Sequence, residues 1–65
     1  MQEYVKRMIV EKEDLEGKIK KAKKAVENPP FGSSKEGLNL LSRQVEAMEQ
    51  YHSILAERLK LEGVA

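Results

Sequence analysis

The chain has 65 residues, and its 12 Lys+Arg against 11 Asp+Glu leave a net charge of +1. That length allows one domain with a small core, and the absence of cysteine excludes disulfides and thiolate metal sites. With one histidine, His52, no zinc cage can be built from one copy, so no metal or cofactor is expected and subunit association is the default route to more buried area.

Taken in chain order, a first helix is expected over about residues 2–27. Met1, Val5, Met8, Lys12, Leu15, Ile19, Ala22 and Val26 recur at alternating steps of four and three, which puts them on one face of a helix. Glu3 near its start and lysines toward its end complement the helix dipole. Gly17 on the outer face marks a weak spot or a close approach by another backbone. Lys18, Lys20, Lys21, Lys23 and Lys24 spread around the helix as a solvated face.

A breaker follows over about 28–35. Pro29 disfavours helical geometry at Asn28, and Pro30 extends the interruption. Phe31, the only phenylalanine, is expected to fold back over the hairpin end. Ser33 or Ser34 supplies the N-cap of a second helix, without a complete capping box because position 37 is glycine. That helix is expected over about 36–61, with Gly63 as its C-cap. Its seam row is Leu38, Leu41, Val45, Met48, His52, Leu55 and Leu59, closed by Glu62. The fold class is all-α: an antiparallel two-helix hairpin forming one domain over 1–65, assembling into a homo-oligomeric bundle.

Folding the two rows antiparallel about the break makes facing residue numbers sum to about 64. Lys12 then faces His52, a polar layer that fixes register or offers a basic patch to an anion or a neighbouring subunit. Two facing cations are costly, so either His52 stays neutral or Lys12 turns outward toward Glu11, Glu13 or Glu16. Beside the seam, one edge gathers Tyr4, Glu11 and Lys18 from the first helix with Gln44, Tyr51 and Arg58 from the second. This register puts Tyr4 by Arg58, Glu11 by Tyr51 and Lys18 by Gln44.

The second helix carries a further heptad stripe, Leu40, Ala47, Ile54 and Leu61, next to Tyr51. The matching positions of the first helix, Arg7, Asp14, Lys21 and Asn28, are polar and cannot cover it. An uncovered apolar stripe on so small a protein implies a partner surface: a second copy, with a host protein as the competitor. The balanced charge argues against nucleic acid as the partner. No run approaches the roughly 20 apolar residues of a membrane span, and the N-terminal segment lacks a signal-peptide core. A soluble, cytoplasmic protein with no membrane partner is therefore expected. No phosphate loop, catalytic triad or carboxylate metal cluster is present, and Ser53 points away from His52, so the expectation is no enzyme activity.

The segment Tyr4-x-x-Arg7-Met8-x-x-Glu11-Lys12-x-x-Leu15-x-x-Lys18-Ile19 resembles the first helix of small bacteriophage helical-hairpin proteins, a family related to crAss-like phage sequences. Leu41-x-x-Gln44-Val45-x-x-Met48-x-x-Tyr51-x-x-Ile54-Leu55-x-x-Arg58-Leu59 continues the likeness through the second helix. Arg7, Glu11, Gln44, Tyr51 and Arg58 distinguish it from other heptad proteins. The chain departs from the pattern at the hairpin end, with small Ala22 and Ala25 and a Pro-Pro break, so no site is carried over there.

Small phage proteins of this general kind include oligomeric sponges that sequester nucleotide second messengers of Thoeris or CBASS defence. By that analogy the chain is a phage anti-defence protein in the host bacterial cytoplasm, binding a cyclic oligonucleotide or cyclic ADP-ribose messenger without cleaving it. Tyr4 and Tyr51 would stack on a base, Arg7, Arg58, Lys12 and Lys18 would meet phosphates, and Gln44 and Glu11 would read polar edges. Leu40, Ala47, Tyr51, Ile54 and Leu61 would form the oligomer interface. The alternative is a protein-binding module that inhibits a host defence or replication protein.

Overall fold

Two long helices, joined by a short loop, account for nearly all of residues 2–64, the part of the chain that the computed structural model describes. Helix α1 spans Glu3–Glu27 and helix α2 spans Lys35–Leu61, and they pack antiparallel into a rod of 46 × 15 × 15 Å. No strand occurs among the described residues, so the protein is an all-α two-helix hairpin. None of its described helices is long and apolar enough to cross a membrane.

Helix boundaries follow from local chemistry. At the start of α2 the Ser34 hydroxyl accepts from the Gly37 amide at 3.0 Å, satisfying one orphan donor of the first turn. Ser33 turns the other way and donates to the Pro30 carbonyl at 2.6 Å, stitching the loop to itself. The far end of α2 closes in a Schellman motif. The Val64 amide donates to the Leu59 carbonyl at 2.9 Å and the Gly63 amide to the Lys60 carbonyl at 3.0 Å. Gly63 takes φ +83°, a left-handed conformation that a Cβ disfavours, and Val64 packs on the core behind it.

The seam is apolar where the heptad rows place it. Val5, Met8, Leu15, Leu55 and Leu59 form one buried cluster, flanked by Ile9, Ile19, Met48 and Val64, and Val45 is buried nearer the loop. Met1, assigned to the same row, lies outside the described residues. One expectation is corrected. Phe31 is fully exposed at the tip instead of covering the hairpin end. The Pro29–Pro30 pair carries the chain out of α1 and the Phe31–Gly32 turn follows it, with Gly32 at φ +85°, leaving the ring at the outermost point of the loop. Gly17 meets no neighbouring atom within 4 Å, so no backbone approaches it within the chain.

Candidate functional site

The heptad places two residue rows, one from each helix, along one long edge of the hairpin, and the geometry there is set by two phenol–carboxylate contacts. The Tyr51 hydroxyl of α2 donates to Glu11 of α1, and the Tyr4 hydroxyl of α1 donates to Glu62 beyond the end of α2. Glu11 meets Tyr51 as the antiparallel register requires. Tyr4 reaches Glu62 instead of ending at Arg58, because helical side chains tilt toward the helix N-terminus. For Tyr4 that direction leads to the C-terminal end of α2. The Glu11 carboxylate accepting its proton pushes the Tyr51 phenol above its ordinary 10.0.

Below this bridge lies an open groove of about 430 Å³, lined by Glu3, Lys6, Arg7, Val10, Glu11, Asp14, Leu15, Lys18 and Tyr51. Four of the residues singled out from the sequence, Arg7, Glu11, Lys18 and Tyr51, therefore share one concavity. Tyr4 and Arg58 line a smaller cleft of about 130 Å³ with Met8, Leu61 and Glu62, further along the same edge. Gln44 is exposed toward the loop end and lines neither.

Lys12 sits on the other side of the seam. Its ammonium is 3.6 Å from Glu16, and the His52 Nε2 is 3.2 Å from the same carboxylate oxygen. The polar layer thus resolves through a shared acid, with Lys12 turned outward. The imidazole approach is close enough for an ion pair but not aligned as a hydrogen bond, which leaves the solvent-shielded Nε2 without a hydrogen-bond partner. His52, with Lys12 beside it, holds the Glu16 carboxyl below its ordinary 4.5. Lys23 and Glu49 pair at 2.8 Å on this second edge.

Sequence reasoning passed over Val10, Lys6, Glu3 and Asp14, which complete the groove wall. Val10 is the informative omission, because it is an apolar residue 57% exposed on the outer face of α1. Its signal was present in the sequence: it follows Glu3 and Arg7 by helical steps, so one stripe carries acid, cation and apolar contact together. No group of His, Cys, Asp or Glu among the described residues is placed to hold a metal ion.

The stripe Leu40, Ala47, Ile54 and Leu61 is exposed throughout, with Leu40 at 61% and Leu61 at 87%. Tyr51 borders both this stripe and the groove, and is 41% exposed.

No curated protein and no solved structure matches the chain. The model of one family, Sequestin, matches residues 2–61, which takes in both helices, the loop, the groove and the exposed stripe, and the chain belongs to the Sequestin family.

Proposed function

We propose that this protein sequesters, without cleaving it, a nucleotide-derived immune second messenger of cyclic oligonucleotide or cyclic ADP-ribose type. It would act for a bacteriophage in the cytoplasm of the host bacterium. The observation that carries the reading is the groove in which Tyr51, Val10, Arg7, Lys6 and Lys18 face one ligand-sized space. An aromatic edge and an apolar contact receive a base, and three cations receive phosphates. The acids Glu3, Glu11 and Asp14 suit the same ligand, since they accept from ribose hydroxyls and exocyclic amines. The family name denotes sequestration, which supports a role in holding a ligand. Arg58 and Tyr4, at the cleft along the edge, extend the surface available to a ligand longer than one nucleotide.

Retention of a ligand in an open groove needs a second wall. Self-association through Leu40, Ala47, Tyr51, Ile54 and Leu61 supplies it, because the stripe borders the groove edge and is left uncovered by α1.

Native mass spectrometry of the protein with cyclic di- and trinucleotides and cyclic ADP-ribose isomers tests the reading. Uptake of intact ligand in fixed ratio to subunits, lost in Arg7→Ala or Tyr51→Ala variants of unchanged helicity, is the expected result. No uptake of any of these ligands by a correctly folded protein overturns it.

A further inference from the structure

We infer that two copies associate antiparallel through α2 in one register, forming a two-fold dimer whose inner side joins the tyrosine-bearing edges of both. The inference rests on the self-association in the reading above, but not on the identity of any ligand. It starts from the exposed stripe. Leu40, Ala47, Ile54 and Leu61 are spaced seven apart, so one antiparallel setting brings Leu40 to the partner's Leu61 and Ala47 to the partner's Ile54. Large meets large at the ends, small meets large in the middle, and the stripe is complementary to itself about a two-fold axis between positions 50 and 51.

Charge on the flank agrees with the same setting. The row on the stripe's solvent side is Arg43, Gln50 and Glu57. About the same axis Arg43 faces the partner's Glu57, and Gln50 faces its own copy. A parallel pairing would instead lay the Arg43, Gln50 and Glu57 row of each copy beside the partner's Gln44, Tyr51 and Arg58 row, so Arg43 and Glu57 would not meet. Neither Arg43 nor Glu57 takes part in an ion pair among the described residues, so both are free to pair across the axis.

The arrangement also decides where the groove edge goes. At 100° per residue, the stripe lies about 130° around α2 from the seam with α1. The row Gln44, Tyr51 and Arg58 falls between these two contact directions, on the inside of the bend. The four helices therefore form an arc, α1–α2–α2–α1, and an antiparallel two-fold puts both inner sides on the same face. Tyr51 of each copy lies beside the axis, and Arg58 lies across from the partner's Gln44. The wall that the single hairpin lacks comes from the second copy.

Single-cysteine variants test the register, since the chain has no cysteine of its own. Arg43→Cys and Glu57→Cys proteins are treated with a short bis-maleimide, each alone and then mixed, after circular dichroism shows unchanged helicity. Cross-linked dimer in the mixture, and none with either protein alone, is the expected result. Cross-linking of Arg43→Cys with itself means another pairing and overturns the inference while leaving self-association standing. As a second measurement, sedimentation should show Arg43→Glu weakening the dimer roughly tenfold, with the Arg43→Glu/Glu57→Arg double variant recovering it. No recovery in the double variant overturns the register, and a protein that stays monomeric at high concentration overturns both the register and the self-association.

Discussion

The two ends of the hairpin use the same heptad spacing and reach different packing. At the end near the termini, Val5, Met8, Leu55 and Leu59 are buried together, Val64 closes over them through the Schellman turn, and Tyr4 bonds across to Glu62. At the loop end only Val45 is buried, while Ala22, Ala25, Val26, Leu38 and Leu41 are half-covered and Phe31 projects into solvent. The difference lies in side-chain size. Alanines at 22 and 25 remove little apolar area from water, at about 25 cal/mol per Å². The groove bordered by Tyr51 and Glu11 thus lies against the better-packed half. A binding surface gains from that position, since its walls are held by the part of the hairpin that opens least.

Five changes would break or sharpen this contrast. Leu55, fully buried, should lose about 3 kcal/mol on substitution by alanine. A chain of this length holds only about 3–10 kcal/mol in total, so urea unfolding followed by helicity should find Leu55→Ala with a much lower midpoint. A loss under about 1 kcal/mol would mean that the terminal end is not the main core.

Val45→Ala removes two methyl groups from the loop end and should cost about 1.5 kcal/mol in the same assay. Hydrogen exchange at the loop end should then rise while amides around Leu59 stay protected. Equal loosening of both ends would show that the hairpin unfolds as one unit. The helix ends come next. Ser34→Ala removes the cap at the loop end, and Gly63→Ala forces a Cβ into φ +83° at the other end, each costing about 1 kcal/mol. A neutral Gly63→Ala would remove the Schellman turn from the account of terminal-end stability.

The smallest effect is a titration. Folding raises the Tyr51 phenol, so its contribution is fully present below pH 10.0 and is lost as pH rises through the folded value. Ultraviolet absorbance should show the Tyr51 phenol ionising above 10.0, and Glu11→Gln should bring it back toward 10.0. An unchanged titration in Glu11→Gln would dissolve the Tyr51–Glu11 contact. Glu16 runs the opposite way: His52 and Lys12 lower its carboxyl, so that contact holds above pH 4.5 and is lost as pH falls through the lowered value.

How far the candidate site was legible can be judged residue by residue. Tyr51 and Glu11 meet because the seam rows alone specify an antiparallel register, and a register specifies which flank residues oppose each other. Lys18 joins them because it lies on the same flank two turns beyond Glu11, and Arg7 because it lies one helical step before Glu11. Lys12 was read as part of the same cluster, yet a seam position can send a long side chain to either edge, and Glu16 draws it to the far one. Val10 was passed over because a lone apolar residue on an outer face has no meaning until the groove beside it exists.

The amino-acid sequence by itself determined that there are two helices, where the chain breaks between them, which faces pack and which apolar stripe is left over. The break follows from the backbone restriction of Pro29 and Pro30, and the others depend on the direction of a side chain around a helix axis, which periodicity encodes. Only the tertiary structure decided that Tyr4 bonds Glu62, that Glu16 serves Lys12 and His52 together, and that Phe31 points outward. Those outcomes depend on reach, rotamer and the path of a Pro-Pro loop, which a heptad pattern does not carry.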